Sequence, residues 1–237
     1  MRTFVLLHGA WHGPWCWKKL TPLLTSKGHT VLTPELPWTY NDKIKNQQFN
    51  FYTTANSLSE LINCLDGQIT LVAHSLGGVI TSLISANIPE KVSRAVYISG
   101  FIPQTGQSIN DLDQLMSESI IASNMRVDEK KRALIVSEDF LKEGFYQDCS
   151  EVEYKFAKSW IGPQLASTFL APIQYDAESL SKVNKIYIEC LNDRAVPISA
   201  QRVMQKNIVI EKVMKVDSGH SPFFSIPQKL ANILNNA

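Results

Sequence analysis

The sequence has almost no excess charge: 23 Lys and Arg stand against 22 Asp and Glu, a formal net charge of +1. Without a field of one sign, neither nucleic acid nor an anionic membrane surface is an expected partner. Long hydrophobic runs are also missing. The first apolar stretch, Phe4 to Leu7, is cut by His8 and Gly9, which is too short for the core of a signal peptide. No later window approaches the ~20 apolar residues that cross a bilayer. A soluble, cytoplasmic protein is expected. The four cysteines, Cys16, Cys64, Cys149 and Cys190, form no CxxC pair and no metal-binding spacing. They read as reduced thiols; Cys64 and Cys190 lie in apolar runs and are expected in the core, and none is assigned a chemical role. With no glycine-rich phosphate loop either, no cofactor and no metal is expected.

What remains is the composition of an ordinary globular enzyme, 44% hydrophobic and 19% charged. A chain of 237 residues accommodates one α/β domain over residues 1–237, with room for an insertion. Short apolar runs at Phe4 to Leu7, Thr30 to Thr33, Ile69 to Ala73, Val92 to Ile98, Lys185 to Cys190 and Lys212 to Val216 read as strands. Between them, helical spacing appears near Trp17 to Ser26, Thr54 to Leu65, Leu76 onward, Ser199 to Gln205 and Pro227 to Leu234. This alternation predicts a parallel sheet with helices on both faces, and functional residues at the carboxyl ends of the strands. Over residues 103–183 the rhythm stops. That segment reads as an inserted helical cap, with SINDLDQLMSESI and DEKKRALIV as its clearest helical stretches, although a pair of crossover helices is the plainer alternative.

The most informative stretch is ITLVAHSLGGVITSLISA, from Ile69 to Ala86. A strand that feeds a helix through His74-Ser75-Leu76-Gly77-Gly78 forces strained backbone angles on Ser75, tolerated because Ala73 and Gly77 are small. The hydroxyl of Ser75 is thereby exposed as a candidate nucleophile, and the N–H of Leu76 is placed to stabilise an oxyanion. Taken alone, the same serine also reads as a simple helix cap, and Ala73 departs from the GxSxG pattern.

A serine needs a base, and the base needs an orienting carboxylate. Of the five histidines, His8 and His12 belong to the first loop, His29 opens a strand, and His74, next to Ser75, is expected to point elsewhere. His220, in VDSGHSPFF after the last strand, is the candidate base. For the acid, Asp193 in LNDRAVP follows the preceding strand, with Asp217 and Asp176 as competitors. Gly9, directly after the first strand, lets the backbone approach the elbow, so the N–H of Ala10 is a candidate second oxyanion donor. A pocket between elbow and cap is expected to be lined by Phe101 and Trp160, with Trp15 and Trp17 as packing residues, and to lack a charged anchor.

The combination HGAWHGPWCW, AHSLGG, LNDRAVP and SGHSPF resembles the α/β-hydrolase superfamily, and within it the compact branch of plant methylesterases, hydroxynitrile lyases and related bacterial carboxylesterases. The resemblance runs from the first strand to the C-terminal helix. It implies the α/β-hydrolase fold, Ser75 as nucleophile, His220 as base, Asp193 as orienter, and the N–H groups of Ala10 and Leu76 as the oxyanion hole. The lyases of this branch carry threonine where this chain has Gly9 and lysine where it has Ser221, so the resemblance favours hydrolysis of a small neutral ester over cyanohydrin cleavage. A ligand receptor of the same fold with incidental turnover is a further alternative, and the same triad also serves thioesters, lactones and acyl transfer. PELPWTYND departs from the family's PDLPGHG pattern, with Trp38 in place of glycine. The sequence leaves room for a homodimer.

Overall fold

The computed structural model describes residues 1–39 and 49–237. Strand β1 (Thr3–Leu7) is buried from Phe4 onward and leads through a 3-10 turn at Pro14–Lys18 into helix α1 (Leu20–Thr25). Strand β2 (Thr30–Leu32) follows, then α2 (Phe51–Asn63), whose N-terminus is capped by the Asn50 side chain accepting from Tyr52 and Thr53 N–H. Strand β3 (Ile69–His74), buried at every position, leads into α3 (Gly77–Asn87) and then β4 (Val92–Ile98). From Phe4 onward β1, and β3 throughout, are buried without exposed alternation, as central strands of a sheet covered on both faces require.

Between β4 and the next strand of this sheet the chain makes a long excursion. It holds a 3-10 helix at Asn110–Met116, α4 (Ile120–Ser123), strands β5 (Met125–Asp128) and β6 (Ala133–Val136), α5 (Glu138–Phe145), α6 (Glu151–Lys158), the short β7 (Gln164–Leu165), α7 (Ser167–Leu170) and α8 (Ala177–Ser181). The helix expected over DEKKRALIV is not there. Asp128 closes β5, the charged residues after it form the turn, and Ala133–Val136 is β6 of a three-stranded antiparallel sheet ordered β5-β6-β7. The β-branched Ile135 and Val136 suit a strand, and the adjoining DEKK suits a solvated turn better than a helix start. SINDLDQLMSESI forms the 3-10 helix Asn110–Met116 rather than one continuous α-helix, and α4 begins only at its last residue, Ile120.

The chain then returns as β8 (Asn184–Cys190), α9 (Ile198–Met204), β9 (Lys212–Val216), α10 (Pro222–Ser225) and α11 (Pro227–Asn236). The main sheet is parallel throughout, in the order β2-β1-β3-β4-β8-β9. Helices α2, α3 and α8 pack together as one layer, and α1 and α11 as another. Register sets what happens at the sheet's carboxyl edge: Leu7 pairs with Ala73 and His74 with Ile98. The loops after β1, β3 and β4 therefore leave the sheet side by side. Cys190 is buried as expected, but Cys64 is exposed, because it caps the solvent-side end of α2 instead of continuing its apolar stripe. Trp38 is fully buried and packs edge-on against the His8 ring; Tyr40, Asn41 and Asp42 of the divergent loop lie outside the described residues.

Candidate active site

Ser75 leaves β3 with φ at 51°, a left-handed conformation that is costly for a residue with a side chain. Its backbone is held in that state on both sides. The N–H donates to Ile98 O at 3.1 Å, and the carbonyl accepts from Gly78 N at 3.0 Å and Phe101 N at 2.9 Å. The turn needs glycine where α3 begins, since a Cβ on Gly77 would lie 2.7 Å from Leu7 O. Ser75 is largely buried and borders a cavity of about 70 Å³ between the sheet edge and the excursion. His220, Ala10, Leu76 and Phe101 border the same cavity.

The His220 ring is tied to the acid loop. Its Nδ1 lies 2.7 Å from Asp193 Oδ2, and both side chains are almost fully buried. The other carboxylate oxygen, Oδ1, accepts from Ala195 N and Val196 N at 2.8 Å each. With both oxygens engaged, Asp193 has one orientation, and it holds the His220 ring, whose Nε2 has no hydrogen-bond partner among the described residues, Ser75 Oγ included. The two competitors for this role sit elsewhere: Asp217 accepts from the Asn192 side chain, and Asp176 caps α8 through Glu178 N and Ser179 N. His74, next to Ser75 in the chain, sets its ring 4.4 Å from that of His220 and has a task. Its Nε2–H donates to the carbonyl of His220 at 2.8 Å, and burial holds it neutral by pulling its pKa well below 6.5.

Ala10 and Leu76 are buried residues that border the cavity, and neither backbone N–H donates to any group among the described residues. Both N–H groups are therefore open to an oxygen bound in the cavity. Two carbonyls of the loop after β1 are satisfied by its own histidines. Gly9 O lies 3.0 Å from His8 Nδ1, whose Nε2 accepts from Leu36 N at 3.0 Å; Ala10 O lies 2.7 Å from His12 Nδ1, whose Nε2 accepts from the Tyr146 hydroxyl at 2.7 Å. These partners fix both rings as neutral Nδ1–H tautomers. Burial lowers the His8 pKa to about 4 and that of His12 to about 3, which agrees with that assignment.

The excursion braces the loops that carry Asp193 and His220. Asp148 Oδ2 accepts from Gly219 N at 2.7 Å and from the Ser218 hydroxyl at 3.1 Å, while Gln147 donates to Asn192 O at 2.7 Å. Ser119 Oγ donates to Ala195 O at 2.7 Å. These residues, with His8 and His12, are the supports that sequence reasoning missed. Only the symmetric placing of His8 and His12 around Gly9-Ala10 offered a signal; the other partners are remote in sequence.

Phe101 lies on the cavity, but Trp160 does not. It is 57% exposed beyond the end of α6, its ring 6.3 Å from Phe156, because that helix turns its aromatic residues outward over Lys18 and Trp15. The apolar wall is made instead by Trp11, Phe145, Met116 and Phe169. Trp17 is a core residue against Phe223, and Trp15 packs on Phe224 and His12, as expected of packing residues. The expected lack of a charged anchor is corrected by Asp113. In the 3-10 helix Asn110–Met116, residues three apart eclipse, so Asn110, Asp113 and Met116 form one ridge along the cavity, from exposed rim to buried wall. Among the described residues, no group of three or more His, Cys, Asp and Glu gathers as metal ligands, and no helix is long and apolar enough to cross a membrane.

Comparison with known proteins agrees with this architecture. The model of the Alpha/beta hydrolase family matches residues 4–233. Methylesterase 9 of Arabidopsis thaliana is 28% identical, with 99% of this chain and 97% of that protein aligned. Salicylic acid-binding protein 2 of Nicotiana tabacum is 30% identical, covering 96% of this chain and 93% of that protein. Among solved structures, polyneuridine aldehyde esterase superposes with a TM-score of 0.85 at 23% identity, over 100% of this chain and 98% of that one. Matched from its first strand to its last helix, and placed among methylesterases and related esterases, the chain belongs to the alpha/beta hydrolase family.

Proposed function

We propose that this carboxylesterase-type hydrolase cleaves a small neutral carboxylic ester through an acyl-enzyme on Ser75. The observation that carries the reading is that Ser75 and a His220 ring held by Asp193 border one cavity, with the N–H groups of Ala10 and Leu76 open on it. His220 Nε2 takes the Ser75 proton as Oγ attacks the ester carbonyl, and the oxyanion rests on the two N–H groups, each contributing about 3 kcal/mol at the transition state. Asp193 stabilises the imidazolium. The alcohol leaves after protonation by His220, and water then frees the acid by the same steps in reverse order. Residues 103–183 act as the cap over this site within a single domain, and the anionic Asp113 at the rim disfavours esters that already carry negative charge.

The test is hydrolysis of a chromogenic short-chain ester. Ser75→Ala is expected to lower kcat by about 10⁴-fold or more, with correct folding confirmed by thermal unfolding. Equal rates from both proteins would sink the mechanism. Cyanohydrin cleavage is disfavoured on two counts. A Cβ on Gly9 would lie 2.8 Å from Ser75 Cβ and 2.9 Å from His74 Nδ1, leaving no room for a threonine, and the residue after His220 is the neutral, buried Ser221. A receptor role is the second reading, favoured by one fact: the tobacco relative is named for binding salicylic acid. Stabilisation of the protein by such a ligand, together with inactivity on a broad ester panel, would select it.

A further inference from the structure

The loop after β1 holds a second strained residue. Trp11 has φ at 60°, a left-handed conformation that a bulky side chain adopts only under constraint from its surroundings. The peptide unit joining Ala10 to Trp11 is gripped at both ends: Ala10 O by the His12 ring at 2.7 Å, and Trp11 N by Gln164 Oε1 at 3.0 Å. The preceding unit is gripped at one end only. Gly9 O meets His8 Nδ1, and Ala10 N is left open beside the cavity. The two histidines belong to the loop itself, whereas Gln164 comes from β7, 153 residues away.

Gln164 is built to do this one thing. It is fully buried, and its amide is locked, because Nε2 donates to Thr168 Oγ1 at 2.9 Å and that hydroxyl donates to Leu165 O at 2.6 Å. Only an oxygen can receive the Trp11 N–H, so the amide has one orientation. The Trp11 indole is tied to the same small sheet through Leu134 O at 2.9 Å. The two peptide units share the Cα of Ala10. Release of the second unit therefore lets the first tilt, and an oxyanion donor works only within a few tenths of an ångström of its distance.

We propose that Gln164 is a positioning residue for the reaction: by accepting the Trp11 N–H, it fixes the Ala10 peptide so that the Ala10 N–H meets the oxyanion. The role rests on the proposed use of Ala10 N as an oxyanion donor. Since the oxyanion exists only in the transition state, its loss lowers kcat and leaves KM nearly unchanged. A residue that merely anchored the excursion would change stability or substrate binding instead.

The test uses the near-isosteric Gln164→Met in the full chain. Its kcat on a short-chain ester is expected to fall about 10–100-fold with KM within about threefold. Affinity for a trifluoromethyl ketone, which adds Ser75 Oγ to its carbonyl carbon and leaves an oxyanion, should weaken by the same factor as kcat. Affinity for the unfluorinated ketone, which binds without forming the adduct, should stay within about twofold. Wild-type kcat and inhibitor affinity, or equal weakening of both ketones, overturns the proposal. If Gln164→Met does not fold, the isosteric Thr168→Val, which frees the Gln164 amide, carries the same comparison at about threefold, and no selective loss there is equally decisive. Ser75→Ala separates the two levels. If it hydrolyses the ester at the wild-type rate, the serine mechanism falls and the Gln164 role with it; if it is inactive while Gln164→Met is unaffected, only the Gln164 role falls.

Discussion

The chemistry of this site depends on single residues whose charge state is set by burial. His8 and His12 serve the loop after β1 only as neutral rings, and both lose that form in acid. Unfolded, each titrates near 6.5; folded, burial holds His8 at about 4 and His12 at about 3. The unfolded chain therefore binds more protons as pH drops below 6.5. Their contribution to stability is complete above that pH and is lost as pH falls toward 4, by on the order of 3 kcal/mol for His8. Urea midpoints should accordingly decline between pH 7 and pH 5, and a flat or rising profile would contradict the neutral-ring assignment. At the rim, Asp113→Asn should raise kcat/KM for a carboxylate-bearing ester by about fivefold relative to its neutral isostere, an effect abolished by molar salt. An unchanged ratio would remove Asp113 from substrate choice. The placing of Ser75, Asp193 and His220 after β3, β8 and β9 was legible in the sequence, because each follows a strand signal directly. Gln164 and Tyr146 were not, because their partners lie more than a hundred residues away and no local pattern encodes such a contact.

Among elements, the strands of the sheet were the most legible. Val92–Ile98 and Lys212–Val216 coincide with their expected bounds: the first ends in a buried run, Ala95–Ile98, and the second is the sheet's edge strand, in which only Val216 is buried. The β5–β6 hairpin was misread because four apolar residues, Ala133–Val136, carry too short a pattern to separate strand from helix, and the neighbouring Lys and Glu residues favour helix on propensity alone. Trp160 was misplaced for a related reason: a helix's exposed end and its buried face contain the same residue types. The excursion also acts on the loops that close the site. Removal of the Asp148 carboxylate, which receives Gly219 N and the Ser218 hydroxyl, frees the loop that bears His220. Asp148→Ala is expected to lower kcat/KM about tenfold and Tm by about 3–6 °C, read by steady-state kinetics and calorimetry. Retention of both would mean that the loop is set by the sheet alone.

Across the whole molecule, the carboxyl edge of one parallel sheet gathers three short loops, and the excursion binds each of them by hydrogen bonds. The loop after β1 is held by Gln164 and Leu134 O, the loop after β8 by Ser119 and Gln147, and the loop after β9 by Asp148. Such an arrangement places an apolar cavity over a strained serine, with the N–H groups of Ala10 and Leu76 open on it. The account stands or falls on covalent chemistry at that serine. Rapid-quench intact-mass analysis of the protein mixed with a slowly deacylated aryl ester, followed by peptide mapping, tests it most directly. The result expected is a mass gain equal to the acyl group, located on Ser75 and absent from Ser75→Ala. Turnover with no acyl adduct under these conditions, or an adduct on another residue, would contradict it.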